Sequence, residues 1–154
     1  MTVSSGGTIE EIDAYEEDPF ENLTYNDALI LVAVCAVKEK TESDENHIED
    51  AKRISLLAQK DPIFSGLGDT IEPSINSFMN MIGKRTDLVK PLASAASALN
   101  SSQKKVAYFW AAEIILADSV LTEKNQRILD KYARLLKIDT IVAQQILAGF
   151  TMGR

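Results

Sequence analysis

Four carboxylates crowd into seven residues of this chain: Glu39, Glu42, Asp44 and Glu45. Oxygen donors so close in sequence suit a hard divalent cation such as calcium or magnesium, which gathers several oxygen ligands. The alternating acidic positions, central glycine and closing bidentate glutamate of an EF-hand are missing. Asp44 and Glu45 serve equally well to complement a helix dipole just past a Ser43 cap, a role that needs no ion. A second pair of acids, Glu113 and Asp118, lies in and just after the apolar stretch Trp110 to Leu116. Glu113 is there either a buried functional acid or the polar edge of an amphipathic helix, with Asp118 or Arg134 as its neighbour in space.

The rest of the reactive inventory is thin. His47 is the only histidine, so one chain can build neither a His pair for zinc nor a Cys-His nucleophile. Cys35 is the only cysteine; an intrachain disulfide is ruled out, and its place inside the apolar run Ala28 to Val37 predicts a small buried filler. Ser65-Gly66-Leu67-Gly68 lacks the Lys-Ser/Thr of a phosphate-binding loop and the strand that precedes a dinucleotide fingerprint. Ser43 and Thr122 sit where helix caps belong, with no base to activate them. The expectation is a protein that is not an enzyme and has no cofactor beyond a divalent cation at Glu39, Glu42, Asp44, Glu45 and Asp118.

The elements that must position these residues read as helices. The chain has 154 residues, enough for one domain with a real core. All of its formal net charge of −7 comes from residues 1–22, which hold Glu10, Glu11, Asp13, Glu16, Glu17, Asp18 and Glu21 and no Lys or Arg. The division expected is an acidic, largely flexible arm over 1–22 and a helical domain over 23–154. A neutral body with an acidic arm argues against nucleic acid as a partner. Met1 to Gly7 is not a basic-then-apolar leader, and the ten-residue run Ala28 to Val37 falls short of the roughly 20 residues that span a membrane. A cytoplasmic location is the resulting expectation.

Thr24 with Asp27 caps a first helix that is apolar on every side through Val37, hence central. Ser43 caps the next, with Ile48, Ala51, Ile54 or Ser55, and Ala58 at helical spacing. Further helices are predicted over Thr70 to Met81, Asp87 to Asn100, Lys104 to Leu116 capped by Ser101 or Ser102, a Thr122-capped helix with stripe Ile128, Leu129, Tyr132, Leu135 and Leu136, and Thr140 to Phe150. No stretch alternates long enough for a strand. The segment Thr24 to Phe64 and the segment Ser101 to Val142 repeat one order of features: apolar run, loop, capped helix ending in Leu-Leu, restarting Asp. Twin hairpins of this kind should share one interior, burying both Val32 and Phe109. Phe64, Leu67, Phe150 and Met152 are candidates for an exposed apolar patch.

The segment Ala111-Ala112-Glu113-Ile114-Ile115-Leu116-Ala117-Asp118-Ser119-Val120-Leu121-Thr122-Glu123-Lys124-Asn125 resembles the signature of the TerB-like family, the tellurite-resistance-associated proteins whose domain is also similar to the N-terminal region of the co-chaperone DjlA. Ala117-Asp118 matches, Ser119 stands for the family glycine, Thr122 matches the cap and Asn125 stands for Glu. In the first copy Val37-Lys38-Glu39-Lys40 replaces Ala-Asp-Gly, while Ser43 matches the cap with Asn46 at the Glu position. The resemblance covers about residues 24 to 148. It implies an all-α bundle of about seven to eight helices, no catalytic machinery, a stress-response setting near membrane-proximal complexes, and clustered carboxylates for a divalent cation. The function expected is a non-enzymatic interaction module that binds a protein partner or forms a homo-oligomer. The alternative is a cation-binding stress protein.

Overall fold

Ten consecutive side chains, Ala28 to Val37, are buried in helix α1, Tyr25–Lys40. A helix buried on its whole circumference can only lie at the centre of other helices. The computed structural model describes residues 20–40, 52, 54–56, 58, 59, 71–83, 85, 87–117 and 121–152. Around α1 stand α2 (Ile71–Gly83), α3 (Val89–Ser97) and α4 (Ser101–Ile115), each packed directly on it. Helix α5 (Glu123–Leu135) lies against α3 and α4, and α6 (Thr140–Met152) against α4. Residues 52, 54–56, 58 and 59 are also helical, with Ile54 and Ala58 buried as their spacing predicts. No strand occurs among the described residues, and the architecture is an all-α bundle. No helix among them is long and apolar enough to cross a membrane.

Local chemistry sets where the helices begin. The Thr24 hydroxyl accepts from the Asp27 amide at 3.1 Å, and the Thr122 hydroxyl from the Asn125 amide at 3.1 Å, so each threonine satisfies an amide of a first turn. Asp87 accepts from the Val89 amide at 3.0 Å at the start of α3. Pro73 and Pro91 fall in first turns, where a missing amide costs nothing. Helix α4 departs from the expected start. Its cap is Asn100 rather than Ser101 or Ser102, and Asn100 and Gln103 exchange two hydrogen bonds of 2.9 Å in a reciprocal capping box. Asparagine is as good a cap as serine, and only Asn100 has a glutamine three residues on. The Ser43 and Asn46 of the other proposed repeat lie outside the described residues.

Two aromatic assignments are reversed. Phe109, expected inside, is 44% exposed, and Phe150, expected on an exposed patch, is 8% exposed. Helix α4 is buried on most of its girth, leaving one outward stripe of Ser102, Lys105, Phe109 and Glu113 at one-turn spacing. Phe109 falls on that stripe. Helix α6 folds back along α4 and tucks Phe150 against it, with ring centroids 5.0 Å apart. Val32 is fully buried, as expected. Phe64 and Leu67 lie outside the described residues.

Helix α5 ends in a Schellman turn: Ile138 N–H donates to Ala133 at 2.8 Å and Lys137 N–H to Arg134 at 3.1 Å. That geometry puts Lys137 at φ 56°, a left-handed conformation in which a side chain crowds its own carbonyl. Lys137→Gly is expected to raise the unfolding free energy by about 0.5 kcal/mol, after the added flexibility of the unfolded chain is deducted. The measurement is a higher urea midpoint at unchanged slope.

Candidate functional site

The polar groups of the interior gather where α1 ends. Because α1 is apolar from Ala28 to Val37, the next charged side chains after Asp27 of its first turn, Lys38, Glu39 and Lys40, emerge in the last turn. Lys38 Nζ donates to the Gly83 carbonyl, the end of α2, at 3.1 Å. A cation there satisfies an acceptor that the terminated helix leaves open. Glu39 is paired with Lys131 of α5 through Oε1, with the two side chains 18% and 33% exposed. One turn back from Glu39, Cys35 is completely buried. Burial first, then the Glu39 charge, pushes its thiol well above the ordinary range, while Lys131 and Arg85 pull the other way. Cys35 is therefore a protonated, inert filler of the core.

Tyr132 enters this region from α5 with its hydroxyl buried and without a hydrogen-bond partner. Its phenol is pushed well above the ordinary value by burial, then by Cys35 and Glu39. Tyr108 of α4 has a second unpartnered hydroxyl, and burial, helped by Asp130, pushes it up to about 12. Phe20 is buried against Phe78 of α2 at 6.4 Å and lies under the Arg85 guanidinium at 5.0 Å. Phe20 thus joins the end of the acidic 1–22 segment to the helices. An open groove of about 480 Å³ beside it is lined by Glu21, Asn22, Leu23, Ser94, Ser97 and Ala98.

Of the five carboxylates assigned to a cation from sequence, Glu39 is the one the structure describes, and its carboxylate is committed to Lys131. Glu42, Asp44, Glu45 and Asp118 lie outside the described residues, as does His47. Among the described residues no three His, Cys, Asp or Glu side chains are grouped to hold a metal. Thr122, which opens α5, is nine residues before Lys131, about 13 Å along the axis. Glu39 therefore sits at a different level of the bundle from the start of α5. Glu113 is half-buried on the outward stripe of α4, the polar edge its spacing allowed. Sequence reasoning missed Lys131 and Tyr132 as partners of the α1 terminus. They lie 92 residues or more from Glu39 along the chain, and periodicity marks which face is buried but not what faces it.

Cys35, Tyr108 and Tyr132 all hold their protons more tightly in the folded state than in the unfolded chain. Their contribution is complete below the ordinary thiol and phenol values of about 8.5 and 10 and is lost as pH rises past them, by about 1.4 kcal/mol per pH unit for each group. The urea midpoint should accordingly fall steeply from about pH 9 upward. Tyr132→Phe should flatten that fall and be neutral or stabilising by up to about 1 kcal/mol at pH 7, since it removes a buried hydroxyl with no partner. Lys131→Met leaves the Glu39 carboxylate half-buried and unpaired and should cost about 1 kcal/mol. Glu39→Gln in the same chain should recover part of that loss, a coupling that a double-mutant cycle reads directly. No protein-family model, curated protein or solved structure matches the chain.

Proposed function

We propose that the chain is a non-enzymatic helical interaction module of TerB-like type, working through the outward face of α6 and the adjoining stripe of α4. The observation that carries this reading is α6 itself. Its thirteen residues, Thr140–Met152, include no charged side chain, yet Ile141 is 65% exposed and Gln144, Gln145 and Gly149 also face out. A peripheral helix normally turns charged residues to water. One that does not, beside a 44% exposed Phe109, has the character of a covered surface. The cation-binding alternative has less to support it, because Glu39 is already engaged by Lys131.

Ile141→Asp tests the reading. Ile141 is too exposed for the change to disturb the core, so circular dichroism and the melting temperature should stay as in the parent. Native mass spectrometry of the gently purified chain should show a stoichiometric companion, another protein or a second copy, that the variant loses. Identical companions with both chains would count against this face.

A further inference from the structure

The stripe of α4 that faces solvent is Lys105, Phe109 and Glu113, one turn apart, with Phe109 in the middle. The two charges are placed against their own helix. Lys105 lies near the N-terminus of α4 and Glu113 near its C-terminus, the reverse of what the helix dipole favours. They are about 12 Å apart along the axis, too far to pair with each other, and neither has an ion-pair partner among the described residues. Nothing among the described residues explains this arrangement.

A two-fold axis through Phe109 does explain it. We propose that the α4 stripe and the outward face of α6 form a homodimer interface, in which α4 meets α4 of a second copy antiparallel. Phe109 then stacks on its own equivalent. Lys105 of each copy reaches Glu113 of the other, so the pair forms twice. Each charge also moves to the end of the neighbouring helix that it suits: Lys105 to a C-terminus, Glu113 to an N-terminus. A surface that meets itself across a two-fold axis must be complementary to itself. This one is, with one charge of each sign placed symmetrically about an aromatic ring and an uncharged helix alongside. The body of the chain is neutral outside residues 1–22, so the charge of −7 that each copy carries comes from that segment and not from the sum over α4 and α6. Two helices of this length give on the order of 500 Å² per copy, the low end for a specific interface.

This inference rests on the interaction reading above and names its partner. The experiment is sedimentation equilibrium of the full chain from 1 to about 500 µM. The parent should approach twice its 16.9 kDa at the upper concentrations. Lys105→Glu and Glu113→Lys should each weaken the dimer at least roughly tenfold, because each sets like charges face to face twice. The double variant, with the charges exchanged, should dimerise as the parent does, and an equimolar mixture of the two single variants should form a mixed dimer. A parent that stays at 16.9 kDa throughout overturns the homodimer, and the loss of a different companion on Ile141→Asp would then still uphold the broader reading. A dimer indifferent to all three charge variants overturns the two-fold pairing through Phe109.

Discussion

The structure depends on the burial of α1. Ten successive residues without a polar side chain cannot face water on any side, so helices must enclose them, and each of α2, α3 and α4 presents an apolar stripe inward to do so. At about 25 cal/mol per Å² of apolar surface removed from water, this enclosure is the dominant favourable term, and the caps and ion pairs adjust its edges. The polar groups at the α1 terminus illustrate the hierarchy. Lys38 and Glu39 begin where the apolar run ends, and each is tied to a different neighbour, α2 through Gly83 and α5 through Lys131. Together these ties join the end of the central helix to two of its neighbours.

Much of this was legible in the residues. An all-round apolar run announces a central helix, and Ala28 to Val37 is one. A threonine three residues before a free amide announces a cap, as Thr24 and Thr122 do. Cys35 was readable as filler for the same reason as its neighbours. What failed were questions of facing. Tyr108, Phe109 and Trp110 are all aromatic on paper, and only the way the other helices pack around α4 leaves the middle one on the outward stripe. Phe150 sits near the end of a helix with no charged side chain, where only Gln144 and Gln145 mark the outer face, so its inner face is weakly signalled.

The candidate site was less legible than the fold, for a related reason. Acidic residues close in sequence suggest ligands, because proximity along the chain is visible. The engagement of Glu39 by Lys131 is a long-range contact and is invisible until the helices are assembled. The arrangement of Lys105 and Glu113 about Phe109 was written in the sequence at one-turn spacing. It carried no meaning until α4 was seen to leave that stripe open.

The central helix also has a temporal consequence. The described helices that enclose it, α2, α3 and α4, all follow it in the chain, so α1 leaves the ribosome before they exist to receive it. The roughly 75 residues between Lys40 and Ile115 take about 4–15 s to synthesise. Throughout that interval the nascent polypeptide displays an uninterrupted oily segment, a ready target for chaperones that hold unfolded chains, and translation speed across α2 to α4 governs how long that vulnerability lasts.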